Sequence, residues 1–333
     1  NKNLSPNNTS AQFDYSTTYG IQPNTVSNSG FEFNGDLDAS TRGGTMVAWC
    51  WRAAGSPDQD YASANDGSVK IINEDGSANT SIQDCAALAT AATNAGASNV
   101  ITPSKVSANR QNGFSIVKYM GNNTVGATVP HGLSTAPDMV ILKNLDVGDT
   151  DSTWQVSLNS TVTGTKGYLR LHKNDIMYTT YPTYDTGIDA NLLTFNGTGA
   201  GERAYNNLAN NYIAYCWHSV PGYSSFGSFD GNGSVDGPFI HTGFKPAFVI
   251  LKGVKDTSSS TGNHWFMYDN QRPEYNNAYR LLSDSNSVEN TADQPISLFS
   301  NGFRLYNNNY ALNYNGGTYI YMAFAEQPYE FAT

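Results

Sequence analysis

The chain has 333 residues and a formal net charge of -10, from 18 Lys and Arg against 28 Asp and Glu. Its charges are scattered and no basic run occurs, which disfavours binding to nucleic acid or to an anionic membrane surface. Only 14% of residues are charged while 12% are aromatic, so solubility rests on neutral Asn, Ser, Thr and Gly, and the wealth of aromatic and β-branched residues excludes the disordered class.

No apolar run approaches the roughly 20 residues that cross a bilayer, so no membrane insertion is expected. The amino terminus has no basic segment followed by an apolar core, and a chain starting at Asn1 reads as a processed or partial product. Cys50, Cys85 and Cys216 have no metal-ligand spacing and read as free, buried thiols.

In chain order, residues 1–52 read as the closing part of a first repeat unit. FNG at Phe33–Gly35 precedes the apolar strand MVAWCW (Met46–Trp51), and the same FNG recurs at Phe195–Gly197 before another such strand. Residues 53–112 fit no repeat and read as a connector. Its Ala-rich stretch Ile82–Ala95 predicts one short helix, Ala being the best helix former.

Two full β units follow, at 113–218 and 219–333. GFSIVKYMGNNTVGATVPHGLSTAPDMVILK from Gly113 and GYSSFGSFDGNGSVDGPFIHTGFKPAFVILK from Gly222 read alike, with Pro137 and Pro246 (246 − 137) and Lys143 and Lys252 (252 − 143) both 109 apart. Each unit continues through a Trp strand (Trp154, Trp265) and a short strand (Tyr168–Leu171, Tyr279–Leu282). Each closes on an apolar one, Tyr212–Trp217 or Tyr319–Phe324.

Short apolar stretches rich in Val, Ile, Tyr, Phe and Trp, punctuated by Asn-Gly, Asp-Gly and Pro, are strand and turn grammar. Asn196-Gly197, Asn301-Gly302 and Asn315-Gly316 suit turns with positive φ. MVILK and FVILK are continuous apolar runs, which places them as central strands covered on both sides or at a subunit interface. The expected fold is all-β, tandem repeated β-sandwich-like units with one short helical connector, assembled as a homo-oligomer for which a trimer is the guess.

The candidate sites are sparse. His131, His172, His218, His241 and His264 form no ligand pair and read as structural. Phe229–Gly237 offers Asp230, Asn232 and Ser234 at alternate positions, a weak cation spacing that the matching stretch of the other unit does not keep. Tyr178, Tyr181, Tyr184, Tyr275, Tyr306 and Tyr310 lie in polar contexts, suited to packing an interface or to stacking on a glycan ring. No catalytic, metal or cofactor motif emerges, so no enzyme is expected.

The strings YIAYCWHSVPGYSSFGSFDGNGSVDGPFIHTGFKPAFVILK and LFSNGFRLYNNN, followed by NYNGGTYIYMAFAEQPY, resemble a repeated domain of uncharacterised function in marine phage genomes, chiefly of cyanophages and pelagiphages. That resemblance spans Phe31–Trp51 and Gly113–Tyr329 and leaves the connector outside. It implies a bacteriophage virion structural protein, a tail fibre or surface appendage, with other virion proteins as partners, attachment to a host-surface glycan as a role, and no catalytic residue. Capsid decoration or a head fibre is the alternative, and a polysaccharide depolymerase spike the third.

Overall fold

The computed structural model describes residues 2–14, 20–21, 33–34, 47–55, 68–148, 153–179, 186–197, 205–255, 263–272, 278–291, 295–308 and 310–329. The chain begins with four two-residue strands, β1 (Lys2–Asn3), β2 (Phe13–Asp14), β3 (Gly20–Ile21) and β4 (Phe33–Asn34), paired β1 with β2 and β3 with β4. Then come β5 (Ser68–Ile72), helix α1 (Cys85–Asn94) and β6 (Lys105–Asn109).

The first half continues with β7 (Phe114–Met120), β8 (Ala127–Pro130), β9 (Met139–Asn144), β10 (Gln155–Leu158), the one-turn helix α2 (Ser160–Thr163), β11 (Tyr168–Arg170), β12 (Thr186–Ile188), β13 (Leu192–Phe195) and β14 (Asn211–Trp217). The second half holds β15 (Ser224–Asp230), β16 (Phe239–His241), β17 (Pro246–Lys255), β18 (Phe266–Asp269), β19 (Leu281–Leu282), β20 (Ile296–Phe299), β21 (Gly302–Leu305), the one-turn helix α3 (Tyr310–Asn313) and β22 (Thr318–Ala325). The fold is all-β; among the described residues it has one longer helix, as expected, and two single turns that the sequence pattern does not announce.

The two halves share one strand order. The large sheet of the first runs β11-β10-β9-β14-β7 and continues into β6-β5; that of the second, read from its other edge, runs β19-β18-β17-β22-β15. Each half adds a three-stranded sheet, β12-β13-β8 and β20-β21-β16. Strand alternation explains the layers. On β9, Val140 and Leu142 turn toward the small sheet's Val129, Leu193 and Phe195, while Met139 and Ile141 turn the opposite way.

That opposite face meets the second half. Met139, Val156 and Trp217 of the first large sheet pack with Phe248, Met322 and Phe324 of the second, so the order of layers is small sheet, large sheet, large sheet, small sheet. The MVILK and FVILK runs are therefore central strands buried on both faces, and in both the second cover is the other half of the same chain. Asn301-Gly302 closes the tight β20–β21 hairpin, in which Phe299 pairs with Gly302.

Three expectations are corrected by the structure. Residues 53–112 do not stand apart as a connector: β5 pairs in parallel with β6, β6 pairs antiparallel with β7, and α1 is the crossover between them. Leu88 and Cys85 of the helix pack in one cluster with Ile71, Val106 and Ala108. Both strands are five residues long and alternate with Ser and Lys, so they read as polar loop. Asp84 caps the helix by accepting from Ala87 N at 2.6 Å.

Residues 47–51 of the proposed third closing strand are not in a strand. Among the described residues this apolar run pairs with no strand, and it packs its partly buried indoles against the core instead. Trp51 packs edge-on against Phe248 and Phe324, both at 5.5 Å, and Trp49 donates Nε1 to Asp269 at 3.2 Å. The thiols also divide: all three are free, but only Cys85 and Cys216 are buried while Cys50 is exposed.

Candidate functional site

The repeated Lys and Trp hold backbone. Lys252 is wholly buried, and its Nζ donates to Lys173 O at 3.2 Å and to Asn263 O, 5.5 Å from the centre of the Trp265 ring. Trp265 Nε1 donates to Arg170 O at 3.0 Å, and Met177 N donates to Val254 O at 3.0 Å. A lysine on the second half thus grips the loop after β11 on the first. Burial pulls the Lys252 ammonium down to about 8, against the opposing pull of Asp284 and Asp175.

Tyr178 ends that loop. Its hydroxyl donates to Asp175 Oδ2 at 2.5 Å, the Arg170 guanidinium pairs with the same carboxylate at 2.6 Å and bonds the hydroxyl, and the Tyr168 ring stacks on it at 5.1 Å. Desolvation, together with Asp175, pushes the phenol up to about 12. This tyrosine is therefore engaged within the loop that joins the two halves.

Tyr306, the other of the six whose side chain is described, stands on a different element. Tyr306 follows β21, 44% exposed, with the Arg304 guanidinium 5.7 Å from its ring centre. Tyr310 opens α3, and its side chain lies outside the described residues, as do Tyr181, Tyr184 and Tyr275 altogether.

At the weak cation spacing, an amide occupies the centre. Asn313, fully buried, donates Nδ2 to Asn232 Oδ1, Ser234 O and Asn307 O at 2.9, 2.8 and 2.7 Å, and accepts from Asn232 N at 2.8 Å. Asp230 accepts instead from Thr318 at 3.1 Å. The first half has the same plug, Asn206 bonding Asn122 N and Thr124 O at 2.9 and 3.0 Å. The backbones come close here: a Cβ on Gly231 would lie 2.2 Å from Tyr314 O. Among the described residues, no group of three or more His, Cys, Asp or Glu could hold a metal ion.

Burial pulls the imidazoles of His131 and His172 down to about 4 and pushes the Cys85 and Cys216 thiols up to about 12, so at neutral pH all four are uncharged packing groups. No described helix is long and apolar enough to cross a membrane.

The second small sheet carries a different kind of surface. Its inward residues Ile240, Leu298, Phe303 and Leu305 are buried, and alternation turns Phe239, His241, Phe299, Arg304 and Tyr306 outward. Phe239 and Phe299 are 44% and 36% exposed, with ring centres 6.0 Å apart. Gly302 lies between them where the backbones come close: a Cβ there would lie 2.1 Å from Ile240 O and 3.0 Å from Phe239 Cζ. Arg304, opposite Phe239 in the register, pairs with Asp236 beyond the sheet edge.

This face joins three exposed rings to His, Arg and Asp side chains, the combination that stacks on a ring and hydrogen-bonds its substituents. Of its residues the sequence offers only Tyr306 as a binding candidate, and it reads His241 as structural. The period-two alternation of Phe239-Ile240-His241 and Phe303-Arg304-Leu305-Tyr306 was the available signal.

Layered antiparallel sheets with an inserted β-α-β crossover define the architecture. The chain belongs to the family described as Domain of unknown function (DUF7483), whose model matches residues 58–328. The match takes in the β5–α1–β6 insertion and both halves as one stretch, whereas the resemblance read from the sequence leaves residues 53–112 outside. No curated protein matches the chain, and no solved structure matches it.

Proposed function

We propose that this chain is a non-enzymatic structural protein of a bacteriophage virion, in a tail fibre or surface appendage, and that the outer face of its second small sheet contributes to attachment to a host-surface glycan. The observation that carries the adhesive role is that face itself. A soluble chain exposes Phe239, Phe299 and Tyr306 together at a cost in water contact, and three rings beside Arg304 and His241 suit a sugar's apolar ring face and its hydroxyls. The virion setting rests on the resemblance of the repeat strings. Individually weak contacts of this kind gain strength from copy number in a multimeric appendage.

The test has two parts. Cryo-electron microscopy of the particle carrying this chain locates it: density in a tail appendage supports the proposal, density on the capsid moves the role to decoration, and absence from the virion overturns it. Binding of the purified chain to host cells, against a Phe239→Ala/Tyr306→Ala variant, tests the face. A loss of binding of about tenfold or more supports it, and equal binding refutes it. Release of reducing sugar from host polysaccharide would overturn the non-enzymatic reading.

A further inference from the structure

Three loops in the chain have one construction. Asn3 pairs with Phe13, Tyr168 bridges Tyr178, and Arg280 bridges Asn290, each pair spanning the same number of residues. Each first partner is followed by a leucine, Leu4, Leu169 or Leu281. In the two halves the loops hang from the Trp strand in the same way, Leu171 N donating to Trp154 O and Ser283 N to Trp265 O, at 2.9 and 3.2 Å.

Two of these loops are seated in a Lys–Trp grip. The 168–178 loop gives Arg170 O to Trp265 Nε1, Lys173 O to Lys252 Nζ and Met177 N to Val254 O. The 3–13 loop gives Ser5 O to Trp154 Nε1 at 3.0 Å, Thr9 O to Lys143 Nζ at 2.9 Å and Gln12 N to Leu145 O at 3.0 Å. The first and last contacts fall at identical steps along both loops, and Leu145 and Val254 each stand two residues beyond the gripping lysine. Residues 3–13 thus do for the first half what the first half's own loop does for the second.

The third loop, 280–290, has the same frame, and Val288 near its end is 89% exposed. We propose that this loop is a docking element for a further β half of the same family, whose Lys–Trp grip would take Leu282 O, Ser285 O and Glu289 N as the first two grips take their loops. The occupant follows from continuity: the same contact occurs twice in this chain, and both of its own grips are filled. The contact is heterologous, donor loop into acceptor grip, so it adds units in series rather than closing a pair. It stands on the geometry alone and is independent of where the chain resides.

The first test keeps the chain at full length. Residues 3–13 are replaced by the sequence of residues 280–290, and in a control by the same residues scrambled. If 280–290 is a donor, the first chimera melts within about 2 °C of the parent and the scrambled one at least about 5 °C lower. A chimera that melts with the scrambled control overturns the proposal.

The second test uses the chain lacking residues 1–14, which carries both a donor and an empty grip. It associates head to tail, its light-scattering mass rising with concentration. A synthetic peptide of residues 1–14 returns it to monomer, and Val288→Asp halts the association. A truncated chain that binds the peptide yet stays monomeric at every concentration refutes the docking role.

Discussion

Trp265→Phe is the sharpest probe of how the halves hold together. The indole is 1% exposed and donates to Arg170 O at 3.0 Å, across the junction. Phenylalanine keeps most of the ring but has no donor, and the Arg170 carbonyl loses that bond, a loss of about 1–3 kcal/mol. The smaller ring forfeits a further ~1 kcal/mol of apolar burial. The expected total is about 2–4 kcal/mol, read as a lower midpoint in urea with unchanged slope, followed by far-ultraviolet circular dichroism. Trp154→Phe removes the matching bond to Ser5 O, and its signature is faster proteolysis within residues 1–14 with the two halves still joined. A Trp265→Phe chain within about 0.5 kcal/mol of the parent would refute the gripping role.

Asn313→Ala empties a plug that makes four hydrogen bonds, and Asn206→Ala one for which two are described. The first variant should lose about 3–4 kcal/mol and the second about 2, and equal losses in chemical unfolding would count against the plug account. Acid should destabilise the fold through His131 and His172, whose folded values are held at about 4 against 6.5 unfolded. Between those values the unfolded chain binds more protons, so stability falls as pH drops through the window, by about 2 kcal/mol from pH 7 to 5 for the fully enclosed His131 and by less for His172, which lies nearer solvent. A melting temperature that falls no less steeply with acid in a His131→Asn/His172→Gln variant would sink that assignment. Gly231→Ala should cost more than about 2 kcal/mol, because its Cβ would meet the Tyr314 carbonyl at 2.2 Å; Gly316→Ala, with open space but φ of +82°, should cost only about 1 kcal/mol.

The strand grammar was legible because the core strands carry it undiluted. The paired apolar strings became β9 and β17, and the Trp and closing strands became β10, β18, β14 and β22. What escaped was short or depended on partners. β5 and β6 carry only two or three apolar side chains each and gain their place from the helix that covers them. Lys143 and Lys252 stood out only as repeat markers, because nothing local in a sequence distinguishes a lysine that crosses to a distant carbonyl from one that reaches water. Of the six tyrosines, Tyr178 is committed to an internal junction and Tyr306 to an open face. Composition could not divide them, since both sit among polar neighbours and differ only in what folds over them.

The same strand order has been finished differently in the two halves, and this is where a site on one of them becomes intelligible. In the first half, the chain between β5 and β6 lays α1 beside the small sheet, with Ile101 N bonding Thr128 O on the edge strand β8, and a cavity of about 390 Å³ remains between helix and sheet. The outward positions there are Thr128 and Thr194, with Pro130 and Leu192 lining that cavity. In the second half β15 follows β14 after only the short turn His218–Tyr223, which leaves no room for such an insertion. Its small sheet turns Phe239, Phe299 and Tyr306 outward instead. A surface kept aromatic where its counterpart is built from Thr, Pro and Leu is not required by the shared fold. The core beneath is satisfied in either case, so the difference supports the binding role proposed for that face.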